Sequence, residues 1–399
     1  MKFLARDQLP SLLAHLASSA TVWAPVKLAS GLVQFEPWEP GVEVELDTLL
    51  AKQSPKEVVF PQTETYLGYR YLMVCSAVRP EAIEEAREEF RLSEDVEGAE
   101  IVAVAPPVSR EMLVVADVGG GIGGEGGMGS LAGVQAPAQV VFGLRPCDAR
   151  GFAQMDSVFA GAGGFYFDPY YNARRENTVL VAVTCRRPRT TCFCRALGGG
   201  PAGTEGVDVL LTEVDGGFAA EAFTPKGEQL LSADSFVEGQ SDLPETATAA
   251  KAAAESLVDV PFQLEGLREA LRSGFESPRW RELSMRCISC GTCTYVCPSC
   301  YCFNINDEIV EGTGERFRCW DNCFNPMYTL ETSGHNPREA KYTRFRNRFN
   351  HKFWYYPEKY HSLLCSGCGR CIMHCPTRID IREVLRTMAA DGNGAEEGQ

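Results

Sequence analysis

Two stretches of this sequence carry the same arrangement of thiols. Cys287, Cys290, Cys293 and Cys297, followed by Pro298, spell C-x2-C-x2-C-x3-C-P; Cys365, Cys368, Cys371 and Cys375, followed by Pro376, spell it again. In this bacterial ferredoxin pattern three closely spaced thiolates grip one [4Fe–4S] cluster and the fourth crosses to its neighbour. The expected sets are therefore Cys287, Cys290, Cys293 and Cys375 for one cluster, and Cys365, Cys368, Cys371 and Cys297 for the other. Zinc would be satisfied by two C-x2-C pairs and has no use for the third cysteine or the trailing proline. Cys293, Cys297 and Cys300 also match the C-x3-C-x2-C pattern of radical S-adenosylmethionine enzymes. Those enzymes set the pattern early in a long barrel, and too little chain follows Cys300 here for one.

A second group of thiols lies upstream, in VTCRRPRTTCFC, which holds Cys185, Cys192 and Cys194. QVVFGL at Gln139–Leu144 and NTVLVAV at Asn177–Val183 read as buried strands, and each runs straight into cysteine, at Cys147 and Cys185. As adjacent parallel strands they would bring those two together, making Cys147 the natural fourth member of the set. The group suits a third [4Fe–4S] cluster, zinc, a structural thiol set or a strained redox disulfide between Cys192 and Cys194. Arg145, Arg186, Arg187 and Arg189 flank it and would favour thiolate. Cys300, Cys302, Cys319 and Cys323 fit either a further centre or small buried hydrophobes, and Cys75 reads as core.

The positioning elements divide the chain into an α+β (or α/β) N-terminal domain over 1–260 and a helical, ferredoxin-like domain over 261–399 with the two [4Fe–4S] clusters. Upstream lie a helix near Leu9–Ser19, strands at Val22–Leu28 and Gly31–Gln34, a helix at Pro80–Leu92, and strand-like IVAVAPPV and MLVVADV. Gly119, Gly121 and Gly124 match G-x-G-x-x-G, but no helix opens on that loop as a dinucleotide site requires, so Gly119–Ser130 reads as a surface insertion. VDVLLTEV and GFAAEAF read as strands. EGQSDLPETATAAKAAAES reads as a linker, and helices follow from Pro261. The wide gap between Cys297 and Cys365 is rich in helix-compatible residues.

Composition narrows the function classes. The chain has 399 residues, 45% of them hydrophobic, enough to bury a real core, and a formal net charge of −15. That charge opposes nucleic-acid binding by the whole surface. One segment runs the other way, Arg338–Lys359, which interleaves Lys and Arg with aromatics; it reads as a basic face toward an acidic partner or the anionic clusters, with base stacking as the alternative. No secretory leader or membrane span is legible, so a cytoplasmic setting is expected, where 17 cysteines mean metal or redox chemistry. With five histidines, the chain offers few acid–base catalysts.

The runs FGLRPCDARG, DPYYNARRENT, CFCRALGGGP, RCISCGTCTYVCPSCYCF, RCWDNCF, GHNPREAKYTRFRNRF and CSGCGRCIMHCP resemble a family of 4Fe–4S dicluster proteins. It comprises the β subunit of cytoplasmic sulfhydrogenases and the A subunit of anaerobic sulfite reductase. The resemblance spans about Val58 to Val384. It implies an electron relay without catalytic residues of its own, working between a flavin-containing, diaphorase-type subunit that exchanges electrons with NAD(P)H and a catalytic oxidoreductase subunit with its own iron–sulfur relay. That catalytic partner would be a hydrogenase, a sulfite reductase or a heterodisulfide-reductase-like module. The alternative is a protein that itself reduces sulfur or polysulfide.

Overall fold

A computed structural model describes residues 1–46, 51–75, 101–104, 110–117, 136–161, 166–310 and 313–394. Helix and strand are mixed throughout, and contacts divide the chain into two units, one of 1–60, 137–302 and 321–399, the other of 61–136 and 303–320.

The first unit is built on an eight-stranded sheet. From edge to edge it runs Val237–Glu238, Lys2–Ala5, Gly217–Ala222, Val209–Val214, Thr178–Val183, Gln139–Leu144, Thr21–Lys27 and Val33–Pro37. Gln139–Leu144 is buried at every residue and pairs in parallel with Thr21–Lys27 and Thr178–Val183. Continuous aliphatic runs are what a parallel strand covered on both faces requires. The strand feeds the helix Pro146–Phe159, whose proline sits where a backbone N–H would have no helical partner anyway. Asp168 then caps Pro169–Glu176, accepting a 2.9 Å bond from the Tyr171 N–H. The parallel pair expected from QVVFGL and NTVLVAV is thus present, with Cys147 and Cys185 just beyond its C-terminal ends.

The stretch expected to be a linker is instead the helix Leu243–Ser256. Alanine is the best helix former, and Leu243 and Ala247 pack it onto Ala219 of the sheet. From 261 onward, short helices enclose a core of Trp280, Phe345, Phe349, Phe353, Leu385 and Met388. Phe345, Phe349, Phe353 and Tyr356 of the basic, aromatic segment are buried, so these rings serve the core and present no face for stacking bases.

The second unit is an antiparallel sheet in the order Phe303–Val310, Thr313–Trp320, Thr63–Cys75, Arg110–Asp117, Ile101–Val104. Its first two strands form a hairpin in the gap between the ferredoxin motifs, where helix-compatible residues had suggested helix. Ile305, Ile309 and Val310 of the hairpin are exposed, and buried Arg318 pairs with Glu64 while its guanidinium stacks over Tyr66 and Phe303. The Pro80–Leu92 helix, the Gly119–Ser130 insertion and the Cys75 side chain lie outside the described residues.

Candidate metal centres

The first ferredoxin motif walls a cavity of about 500 Å³, and the four thiols expected to act together, Cys287, Cys290, Cys293 and Cys375, all line it, with Cys371 of the second motif beside them. Local backbone serves the sulfurs. The Ser289 N–H donates to Cys287 Sγ at 3.4 Å and the Ile379 N–H to Cys375 Sγ at 3.3 Å, the kind of bond that favours a thiolate and tunes a cluster. Cys290 is exposed. Val296 is buried, whereas Ile288 is 63% exposed and forms the rim of the cavity.

Cys365, Cys368 and Cys297 are each buried. Cys297 is tied to the second motif by its neighbours: Lys352 Nζ lies 3.5 Å from its sulfur and donates to Leu364 O at 2.8 Å, and Ser299 Oγ donates to that same carbonyl at 3.0 Å. The carbonyl belongs to the residue before Cys365, so the crossed grouping has a physical tether. A hydrogen bond from Cys300 holds the Cys297 thiol well below its ordinary pKa against desolvation, aided by the Lys352 and Arg348 charges. Burial pushes Cys365 up to about 12 and Cys368 to about 11.

Two cations among these thiols could not be picked out individually from the sequence. Arg348 is 4% exposed and Lys352 2%. Arg348 donates to Cys293 O at 3.0 Å, its Nε has no partner among the described residues, and its charge acts on Cys293 and Cys371, one thiol from each motif. Burying cations is costly without opposing charge, and an all-thiolate iron–sulfur group supplies it. The donor set and these cations therefore fit two [4Fe–4S] groups. The one sequence signal was the basic run Arg338–Lys359, read as a face toward a partner or the clusters; the second half of that reading describes Arg348 and Lys352.

The upstream thiols also share a cavity. Cys147, Cys185, Cys192 and Cys194 line a space of about 410 Å³ whose remaining wall includes Gly367 and Cys368. The Arg189 N–H donates to Cys192 Sγ at 3.3 Å. The two thiol-bearing loops meet backbone to backbone, with the Phe193 N–H donating to Gly367 O at 2.9 Å. Gly367 and Gly369 make this possible: both have positive φ, and a Cβ would stand 2.5 Å from Cys194 Cα at the first and 2.4 Å from Thr191 O at the second. Burial outweighs the flanking arginines at these thiols, although Arg145 lowers Cys185 and Arg189 lowers Cys192. Burial raises Cys147, Cys185 and Cys192 and pushes Cys194 to about 12, Arg145 offsets only part of the rise at Cys185, and Arg186 is engaged by Glu213 at 2.9 Å.

The remaining cysteines divide between the units. Cys302 and Cys323 share a thiol hydrogen bond, and Cys300 bonds to Cys297. Cys319 belongs to the hairpin of the second unit, donating to Asn304 Oδ1 at 2.8 Å.

Comparison with known proteins agrees with this chemistry. The 4Fe–4S dicluster domain family matches residues 286–379. The beta subunit of sulfhydrogenase 2 from Pyrococcus furiosus is 35% identical over 260 residues, spanning 62% of this chain and 72% of that protein. No solved structure matches the chain. Among the described residues no helix is long and apolar enough to cross a membrane. On the dicluster domain and that extended identity, the chain belongs to the sulfhydrogenase beta-subunit family, iron–sulfur proteins of electron transport that carry two [4Fe–4S] clusters.

Proposed function

We propose that the chain is the relay subunit of a cytoplasmic oxidoreductase complex, carrying electrons between a flavin-containing, NAD(P)H-linked subunit and a catalytic subunit of the hydrogenase, sulfite reductase or heterodisulfide-reductase-like kind. Cys287, Cys290, Cys293 and Cys375 hold the first cluster, and Cys365, Cys368, Cys371 and Cys297 the second. Cys147, Cys185, Cys192 and Cys194 hold a third. Residues 261–399 act as the ferredoxin-like part, helical apart from the hairpin 303–320, and residues 1–260 contribute the additional centre. Each [4Fe–4S] group would take up and pass on one electron.

The observation that carries this reading is the continuity of the three thiol sets. Cys371 of the second motif lines the first cavity, and Cys368 of the same motif lines the upstream one. The second motif therefore lies between the other two, as the middle station of a relay. Cys290 gives the first end access to solvent. The test is electron flux through the assembled complex from NAD(P)H to the catalytic subunit. Cys368→Ser should abolish flux while the flavin subunit still reduces a dye; full flux with a wild-type iron content would overturn the assignment.

An open, polar cleft of about 750 Å³ beside Cys147 and Cys194, bordered by Arg150, Glu205 and Glu255, favours a second reading, direct reduction of polysulfide at the third centre. Sulfide release from polysulfide by the purified chain, supplied with a chemical electron donor, supports that reading; none under the same conditions removes it.

A further inference from the structure

A buried ion pair joins the second ferredoxin motif to the loop that carries Cys147. Asp148 and Arg370 are 1% and 0% exposed. They meet through two parallel bonds, Nη1 to Oδ1 at 2.6 Å and Nη2 to Oδ2 at 3.0 Å, while Arg370 Nε donates to Ala51 O at 2.9 Å. Asp148 directly follows Cys147, and Arg370 lies between Cys368 and Cys371. The pair thus ties the backbone bearing one upstream thiol to the backbone bearing two thiols of the second motif, across 222 positions of sequence.

The charge arrangement differs from that at the other junction. Arg348, which acts on thiols of both motifs, donates from its Nη2 to a neutral backbone carbonyl, Cys293 O, at 3.0 Å. Arg370 has a carboxylate locked on its fork. A buried positive charge beside an iron–sulfur group favours the reduced, more negative form and raises its potential. Pairing cancels most of that effect, because carboxylate and guanidinium present a dipole where a lone arginine would present a full charge.

We propose that Asp148 is a positioning and potential-setting residue: it neutralises Arg370, so the second cluster and the third centre are held at lower potential than an unpaired arginine would give, and it fixes the spacing of the two ligand loops. The inference rests on the three-centre reading for its effect on the third centre only; its effect on the second cluster stands independently.

The test is an EPR-monitored redox titration of the anaerobically purified chain, with iron and sulfide counted on the same samples. Asp148→Asn keeps the shape and removes the carboxylate charge, so the second cluster's potential should rise by a tenfold shift in its electron equilibrium or more, about 59 mV for one electron. Arg370→Gln leaves the carboxylate alone and should lower the potential, and it carries the test if Asp148→Asn fails to accumulate. A variant that keeps its iron and titrates at the wild-type potential overturns the proposal, since a merely structural tie would leave the potential unmoved. A wild-type count of about eight irons in place of about twelve would instead remove the third centre, without touching the result at the second cluster.

Discussion

At the scale of single residues, the chemistry is thiols set among buried cations. Lys352 illustrates the balance: with its ammonium against Cys297 Sγ and Leu364 O, it survives desolvation because sulfur anions surround it. Lys352→Met should lower the reduction potential of the second cluster and Lys352→Arg should keep it near wild type, as read by the same EPR-monitored titration. His351, which shares a 3.1 Å hydrogen bond with Tyr301 Oη, makes a pH prediction. Burial and the nearby Lys352 and Arg338 charges depress its pKa from 6.5 to about 4. Between those values the unfolded chain takes up a proton that the folded chain refuses, so stability is present above the unfolded pKa and falls as pH drops from about 6.5 to about 4, by about 3 kcal/mol. Denaturant midpoints across that range should show the loss in wild type and not in His351→Phe. The cysteine spacing was readable directly, because cluster ligation fixes both residue type and interval. Lys352 and Arg348 could be seen only as members of a basic run, since nothing in the local sequence tells which cations turn inward.

At the scale of elements, two parallel strands and a pair of glycine-bearing loops do the positioning. The strands were legible because uninterrupted aliphatic runs ended in cysteine, which put Cys147 and Cys185 at neighbouring strand ends. The loop junction was not legible. Gly367 and Gly369 sit inside the ferredoxin motif, where their sequence says nothing about Cys194 and Thr191, and the contact exists only in three dimensions. Gly367→Ala forces a left-handed backbone and a clash with Cys194 Cα, so it should cost about 3 kcal/mol in a chemical denaturation experiment and loosen iron at the upstream thiols first. The helix Leu243–Ser256 and the hairpin 303–320 were misjudged for related reasons. An alanine-rich polar stretch resembles a linker until a sheet is available to take its small-residue face. A polar and charged stretch such as the hairpin's suits a surface helix until strand partners appear.

At the scale of the whole molecule, the first unit gathers its thiols into consecutive groups around the second motif, and the proposed relay rests on that continuity. The dicluster domain was evident from sequence, as was the family; the upstream set was an open choice among cluster, zinc and bare thiols. What now favours a cluster is the convergence of all four thiols on one cavity that also touches Cys368. The most direct test is iron and labile sulfide per chain, measured anaerobically on the wild type and on Cys185→Ala/Cys192→Ala. Three centres of four predict about twelve irons falling to about eight, with both ferredoxin-type EPR signals retained. About eight irons in both proteins would contradict a relay that extends through the upstream thiols.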